Sequence, residues 1–336
     1  MLKVAVIGCG KIAERLHLPE FTRIPDVQVV ALCDTRRKAL TALADKYGIQ
    51  ARFTDYEKML RETEVDAVSV CTPNALHAPM TIAAAKAGAH VLVEKPMATT
   101  VAEARRMVAA AERAGVVLMV EQKMRFMEFA RVARRIIDEG KIGKVITIRG
   151  YVGGGDPRGW SPEGKWFFKR GEAGAGPVLD IGIHMIDLMR YLLGGRRVQS
   201  ICGFGQKLAL GKFCEVEDNG VAALQFDGDT LGTITASWTN HPGMTRCEVF
   251  GSKGTIIAET EEVQEQYWDP QARKLNVIRH QTSWKYPDGT PLELFVQAIR
   301  EEKEPPVTGL FGAQNLEVML GLLESARTHR VVKMKL

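Results

Sequence analysis

The chain has 336 residues, of which 46% are hydrophobic and 25% charged, and its formal net charge is +5. This length and composition exclude a disordered chain and predict a globular protein of two domains. The small net charge argues against a nucleic-acid partner. The six cysteines have no paired spacing, which argues against a disulfide framework and a metal site. No apolar run approaches ~18 residues, which argues against a membrane span. We therefore expect a cytoplasmic protein with reduced thiols.

Residues 1–122 alternate between short apolar runs and segments with helical spacing. The apolar runs, rich in Val, Ile, Leu and Ala, predict strands covered on both faces: 2–8, 27–34, 65–72, 90–96 and 115–122. The first of them predicts a strand and a turn where a signal peptide would otherwise begin. The segments between them predict helices: 11–22, 35–47, 75–87 and 100–114. This alternation predicts a doubly wound parallel sheet, a Rossmann domain that binds NAD(P).

The first turn carries the pattern G-x-G-x-x-A, formed by Gly8, Gly10 and Ala13. Such a turn lets a pyrophosphate approach the backbone, and the helix that follows directs its N-terminus at the phosphate charge. Asp34 ends the next strand, near where an acidic residue binds the ribose hydroxyls of NAD. Arg36 and Arg37 follow closely and leave NADP open, because either can pair with a 2′-phosphate. The alternative is a tight turn that serves packing, with Asp34 as a helix cap.

Three more strand ends are expected at the same edge of the sheet, where ligands of such folds bind. They are C-T-P-N (71–74), E-K-P (94–96) and E-Q-K (121–123). Pro96 restricts Lys95 to an extended conformation. Lys95 either projects into a site or simply ends its strand in water, and His77 either caps the next helix or lines the cofactor site.

Residues 123–336 have a different pattern. Segments 143–152 and 228–238 alternate apolar and polar residues, which is typical of antiparallel strands with one face exposed to water or to a partner. Helical patterns follow at 181–194, 291–302 and 312–330. We expect an α+β domain with a large, open, mainly antiparallel sheet that binds substrate and builds a homodimer or homotetramer.

The segment G-P-V-L-D-I-G-I-H-M-I-D-L-M (176–189) places Asp180, His184, Asp187 and Tyr191 along one face of a predicted helix. The alternative is a solvated helix face, but such faces usually consist of Lys, Glu and Arg. Asp187 and Tyr191 are expected to serve packing or supporting hydrogen bonds.

The long loop 153–176 is polar, rich in glycine and aromatic, and predicts either a substrate loop or a subunit contact. Its candidate side chains for a sugar are Asp156, Arg158, Trp160, Lys165 and Trp166, with Arg158 and Trp166 foremost. Trp284 and Tyr286 are weaker candidates of the same kind.

Three stretches, 8–19, 71–100 and 174–194, together resemble the Gfo/Idh/MocA oxidoreductases, and 316–326 is consistent with them. The resemblance implies that Lys95 contacts the substrate hydroxyl and the cofactor, that Lys95–Pro96 is often cis, and that Asp180 and His184 form the pair in which histidine is the acid/base. The sequence departs from the family pattern at Gly174-Ala175-Gly176 and at Ile181, which argues against an inositol substrate. The residues expected to bind the cofactor are Gly8, Gly10, Lys11, Ile12, Ala13, Asp34, Arg36, Thr72, Pro73, Asn74, His77, Glu94, Lys95 and Gln122.

These features predict an enzyme that transfers a hydride between a nicotinamide and a CH–OH carbon of a sugar, a sugar derivative or a cyclitol. His184 lies in the first turn of its helix, where the positive end of the dipole disfavours imidazolium, so a neutral ring can accept the hydroxyl proton. The charge of Lys95 would stabilise a developing alkoxide. Two alternatives remain: a glycoside hydrolase that uses NAD for a transient oxidation, and a non-catalytic dinucleotide sensor.

Overall fold

The computed structural model describes residues 1–161 and 164–336, and its contacts divide the chain into two compact units. The first unit comprises Met1–Gln122, Gly171–Gly174 and Gly289–Ala313. The second comprises Lys123–Arg170, Ala175–Asp288 and Gln314–Leu336. Residues 289–313 thus return to the first unit after the chain has built most of the second.

The first unit contains a six-stranded parallel sheet with the order β3-β2-β1-β4-β5-β6. Its strands are β1 (Leu2–Ile7), β2 (Val27–Cys33), β3 (Ala51–Phe53), β4 (Ala67–Val70), β5 (His90–Val93) and β6 (Leu118–Val120). The order reverses between β1 and β4, which creates the crevice in which doubly wound folds bind ligands. The predicted Rossmann fold is confirmed, although β3 was not predicted and β6 is shorter than the predicted strand 115–122.

The helices within the described residues include one in each predicted helical segment. They are α1 (Leu18–Phe21), α2 (Arg37–Tyr47), α3 (Tyr56–Glu62), α4 (His77–Lys86), α5 (Val101–Ala114), α6 (Glu128–Asp138), α7 (Pro157–Trp160), α8 (Arg170–Ala173), α9 (Pro177–Asp180), α10 (Gly182–Leu192), α11 (Pro291–Arg300) and α12 (Gly309–Thr328). The helices α3, α7, α8 and α9 lie outside the predicted segments. A π-helical turn, Ala13–His17, precedes α1. Capping boxes of Thr100 with Glu103 and of Thr290 with Glu293 begin α5 and α11. No helix within the described ranges is both long and apolar enough to cross a membrane.

The second unit contains a nine-stranded sheet with the order β14-β13-β12-β11-β7-β10-β9-β8-β15. Its strands are β7 (Val145–Gly153), β8 (Val198–Gln206), β9 (Asn219–Phe226), β10 (Thr230–Ser237), β11 (Met244–Gly251), β12 (Thr255–Glu259), β13 (Glu262–Asp269), β14 (Lys274–Gln281) and β15 (Val332–Lys333). Only the central pair β7 and β10 is parallel. The predicted open, mainly antiparallel sheet is therefore confirmed, and α10 packs against its centre.

The predicted helix that begins at about Asp180 is interrupted. Asp180 ends the short helix α9, Ile181 separates the two helices, and α10 begins at Gly182. A Cβ on Gly182 would approach the Ala236 side chain to 3.1 Å, so the glycine allows α10 to start directly against β10. The alternative of a solvated helix face is wrong, because Asp187 is fully buried and His184 is only 5% exposed.

Candidate active site

The glycine turn of the first unit has the geometry of a phosphate loop. Gly8 has φ +100°, and a Cβ there would lie 2.5 Å from the Cys71 carbonyl oxygen, so only glycine fits. A Cβ on Gly10 would meet nothing closer than the Arg36 guanidinium, at 3.9 Å. The backbone at Gly10 is therefore open to a ligand. Ala13 is buried against the sheet, Ile12 packs at its side, and Lys11 is partly exposed near Glu14.

Asp34 lies at the end of β2, beside the glycine turn. Its Oδ2 accepts hydrogen bonds from the Cys9 amide at 2.7 Å and from Nη2 of Arg36 at 3.0 Å, and its Oδ1 accepts one from the Arg36 amide at 2.7 Å. Burial alone would raise the pKa of Asp34, but the bonds from Arg36 and Cys9 hold it below its ordinary value. Asp34 is thus a buried carboxylate, and its partner Arg36 is the same residue that was predicted to favour a 2′-phosphate.

Glu94, which precedes Lys95, belongs to a buried polar row that sequence reasoning missed. Its Oε2 accepts the Lys95 amide at 3.1 Å, and its Oε1 lies 3.0 Å from Nε2 of His17. Nδ1 of His17 lies 2.8 Å from Oγ of Ser69. Burial alone would lower the pKa of His17, but the neighbouring Cys71 and Glu94 side chains raise it well above its ordinary value. The row connects the helix after the glycine turn to the peptide of Lys95.

His77 connects two loops at the same edge of the sheet. Its Nδ1 lies 2.8 Å from the Pro96 carbonyl oxygen, and its Nε2 lies 2.8 Å from that of Thr72. The ring therefore contacts carbonyl groups and does not cap α4. Lys95–Pro96 is a cis peptide bond, as the resemblance implied.

The remaining predicted cofactor residues also lie at strand ends of this unit. Asn74 is buried and donates to the Ala173 carbonyl oxygen at 2.9 Å, Pro73 begins the short turn before α4, and Gln122 is buried after β6. The strand ends predicted to converge do so within the first unit.

In the second unit, the side chain of Asp180 is held by a residue that sequence reasoning missed. Nε1 of Trp238 donates to Oδ2 of Asp180 at 2.9 Å, and Trp238 is only 1% exposed. Trp238 follows β10 directly, so the end of the predicted strand 228–238 was the available signal. His184 lies in the first turn of α10, as predicted.

Asp187 and Tyr191 belong to a structural network on α10. Arg125 donates to both carboxylate oxygens of Asp187, from Nη2 at 2.6 Å and from Nε at 2.7 Å, and Asn315 adds a third bond at 2.9 Å. The hydroxyl of Tyr191 accepts from Arg131 at 2.9 Å. A buried carboxylate with three hydrogen bonds holds α10 against the residues that donate them.

The loop 153–176 is described except for Pro162 and Glu163. Arg158 pairs with Asp156, with Nη2 and Oδ2 at 2.6 Å, and Trp166 stacks on Phe167 with ring centroids 3.8 Å apart. Trp160 and Trp284 are both exposed. Two of the predicted sugar-binding side chains, Arg158 and Trp166, are therefore already engaged within the loop. Among the described residues, no group of His, Cys, Asp and Glu is arranged to hold a metal ion.

The parallel sheet, its open glycine turn and the buried acid at the end of β2 define a dinucleotide-binding oxidoreductase. These residues fit NAD: the backbone is open at Gly10, and Asp34 is an ionised acceptor within reach of the turn. Two family models match the chain: the oxidoreductase family with an NAD-binding Rossmann fold over residues 2–122, and the GFO/IDH/MocA C-terminal domain over residues 130–257. The chain belongs to the Gfo/Idh/MocA oxidoreductases and binds NAD, as predicted.

Similar proteins support this membership. The 1,5-anhydro-D-fructose reductase of Ensifer adhaerens is 31% identical over 100% of this chain and 99% of that protein. The D-glucoside 3-dehydrogenase of Escherichia coli is 38% identical over 63% of this chain, a match that spans only 60% of that enzyme. The WlbA dehydrogenase of Bordetella pertussis, solved in complex with NADH and UDP-GlcNAcA, is 27% identical with a TM-score of 0.83, over 100% of this chain and 99% of that one.

Proposed function

We propose that this protein interconverts a secondary alcohol and a ketone on a sugar, a sugar derivative or a cyclitol, with NAD as the redox partner. The observation that carries the proposal is the pair formed by Asp180 at the end of α9, held by Trp238, and the buried His184 in the first turn of α10, four positions later. The relatives named above act on carbohydrates by their names, and two of them, the 1,5-anhydro-D-fructose reductase and the WlbA dehydrogenase, match this chain over its whole length. We expect the loop 153–176 to contribute to the choice of sugar.

Each of the proposed residues has one task in the reaction. When bound, the nicotinamide accepts a hydride from the substrate carbon or returns it. The imidazole of His184 takes the hydroxyl proton during oxidation and gives it back during reduction. The ammonium group of Lys95 stabilises the negative charge that develops on the oxygen, and Asp180 orients the hydroxyl and the imidazole. Glu94, bonded to the Lys95 amide, fixes the backbone from which that lysine projects.

The first experiment is a substrate screen of the purified protein with NAD⁺ and with NADP⁺. The panel contains D-glucosides, 1,5-anhydro sugars, free aldoses, a UDP-sugar and inositols, and the readout is NADH or NADPH absorbance. Stoichiometric NADH release is expected. Release of an aglycone from a glucoside without net NADH would instead indicate the hydrolase alternative, and NADH binding without turnover of any of these compounds would indicate a sensor.

Once a substrate is found, His184→Ala and Lys95→Ala test the assigned tasks. Each is expected to lower kcat by about 10²–10⁴-fold, because each removes a group that acts in the transition state. His329→Ala and Lys86→Ala, both at exposed positions, are the matched controls and should retain wild-type rates. The oxidation should also speed up with rising pH through one ionisation, and His184→Ala should lose that dependence. Near-wild-type activity of His184→Ala with an unchanged pH profile would refute its assignment as the base.

A further inference from the structure

Trp238 makes a direct hydrogen bond to one member of the proposed catalytic pair. Its indole N–H donates to Oδ2 of Asp180 at 2.9 Å, although the two residues are 58 positions apart in the chain. A buried indole needs an acceptor for its single N–H, and an ionised carboxylate is a strong one. The bond therefore gives the buried indole N–H its acceptor and occupies Oδ2 of Asp180.

The backbone that carries Asp180 is fixed at both ends of α9. The Gly176 amide donates to Oε1 of Glu217 at 2.8 Å, and a Cβ at Gly176 would overlap the Glu217 carbonyl oxygen. At the other end, Gly182 lies against Ala236. With the backbone held in this way, the hydrogen bond from Trp238 restrains the rotation of the Asp180 carboxylate.

Trp238 is itself held by aromatic residues of the loop 153–176. The Phe168 ring meets it edge-on, with centroids 5.6 Å apart and planes at 70°, and Phe168 in turn meets Phe213 at 5.3 Å. Trp238 and Phe168 belong to one buried cluster with Phe167, and Trp166 packs against it. The Trp238 amide donates to the Asp218 carbonyl oxygen at 3.1 Å, so the backbone of the indole is fixed as well. Within this cluster the indole packs with its N–H directed at Asp180.

We infer that Trp238 is a positioning residue: it orients the Asp180 carboxylate for the proposed reaction, and the aromatic part of the loop 153–176 holds Trp238 in place. The inference rests on the proposed function, because it assumes that Asp180 acts on the reacting hydroxyl or on His184. It assigns Trp166 and Phe168 a supporting function in place of sugar stacking. Sequence differences in this part of the loop would then change the rate of the reaction as well as the choice of sugar.

Trp238→Phe tests the inference, because phenylalanine keeps an aromatic ring and removes the N–H. With the substrate from the screen, kcat is expected to fall about 10- to 100-fold, the range for the loss of one hydrogen bond to an ionised group, with little change in KM. Trp268→Phe, at a tryptophan that is 61% exposed on β13, is the matched control and should keep the wild-type kcat. An unchanged kcat in Trp238→Phe would overturn the inference.

A double-mutant cycle separates orientation of Asp180 from general packing. If Trp238 acts through Asp180, adding Trp238→Phe to Asp180→Ala should cost less than twofold, because the acceptor is already gone. The same 10- to 100-fold cost in both backgrounds would show a merely structural role and overturn the inference. If Asp180→Ala keeps wild-type activity, the proposed function of Asp180 fails. If Asp180→Ala is slow and Trp238→Phe is not, only the inference fails.

A ring-preserving variant covers the case in which Trp238→Phe does not fold, because Trp238 is almost fully buried and a smaller ring leaves a cavity. Replacing the indole of residue 238 by benzothiophene, through incorporation of benzothienylalanine, exchanges the N–H for sulfur and keeps the bicyclic shape. A folded variant with the same 10- to 100-fold loss supports the inference. Wild-type kcat in this variant overturns it.

Discussion

Asp34 and Arg36 form an ion pair, and this pairing affects which cofactor the two residues favour. The sequence places an acid that favours NAD and a cation that favours NADP two residues apart. In the structure the cation is bonded to the acid through Nη2 and Nε, at 3.0 and 3.2 Å. The charge of Arg36 is therefore largely offset by Asp34, and the pair presents no unopposed cation to a 2′-phosphate.

We expect the wild-type protein to bind NAD(H) more tightly than NADP(H), and Asp34→Ala to relax or reverse this preference. The substitution removes an acceptor for the ribose hydroxyls and frees the Arg36 guanidinium for a phosphate. Calorimetric titration of both cofactors measures the two affinities. The double variant with Arg36→Ala is the control and should lose the gained NADP(H) affinity. Equal or tighter binding of NADP(H) by the wild-type protein would contradict the prediction.

Sequence motifs identified the proposed catalytic residues, but not the residues that hold them in position. Lys95, Asp180 and His184 stand in short patterns whose spacing is informative within one element. Trp238 bonds to Asp180 across 58 positions, and His17 bonds to Glu94 across 77 positions. No local sequence pattern encodes pairings of this length. A lone tryptophan after a strand or a lone histidine on a helix is more often an ordinary core residue, so only the folded chain identifies these two.

At the scale of elements, Glu217 fixes the start of α9 from the loop before β9. It is 7% exposed, and its Oε1 accepts the Gly176 amide at 2.8 Å. Burial raises the pKa of Glu217 from 4.5 to about 7, although hydrogen bonds from the backbone, including the Gly176 and Val178 amides, act in the opposite direction. The first residues of α9, the helix that carries Asp180, are therefore hydrogen-bonded to a carboxyl group with a pKa of about 7.

This raised pKa predicts a pH-dependent stability. The folded state binds the Glu217 proton more tightly than the unfolded state, so the stabilisation is present below about pH 4.5 and is lost as the pH rises through about 7. Glu217→Gln should remove this dependence. Between pH 4.5 and pH 8, the unfolding free energy of the wild type should therefore fall by roughly 3 kcal/mol relative to that of the variant. Urea unfolding at several pH values measures it, with Glu324→Gln, at an exposed site, as the control. Parallel curves for wild type and Glu217→Gln would refute the prediction.

Elements buried on both faces were the easiest to predict, and exposed ones the hardest. The runs of β1, β4 and β5 are almost wholly apolar, as strands covered by helices must be. By contrast, β14 is exposed over nearly its whole length, and its residues Lys274–Gln281 give no buried pattern to detect. The break between α9 and α10 depends on the close packing of Gly182 on β10, which is a tertiary contact.

At the scale of the whole molecule, one face of the nine-stranded sheet exposes large apolar side chains. Phe204 and Val221 are direct neighbours across β8 and β9 on this face and are 58% and 45% exposed. Leu231 on β10 is 58% exposed on the same face. Ion pairs such as Arg246 with Glu248 lie further along the sheet. Large apolar side chains grouped on one open sheet face are typical of a surface that a partner covers.

We therefore predict a homodimer or homotetramer built on this face. Light scattering at micromolar concentration should give a multiple of the 37.1 kDa chain mass. Val221→Glu and Leu231→Glu would each bury an unpaired carboxylate at the contact and should weaken association by about 100-fold or more, which shifts the protein toward monomer. Leu310→Glu, at a leucine that is 47% exposed in the first unit, is the control and should leave the mass unchanged. A monomeric wild-type protein would exclude the sheet as a subunit interface, because this apolar face would then be stable in water.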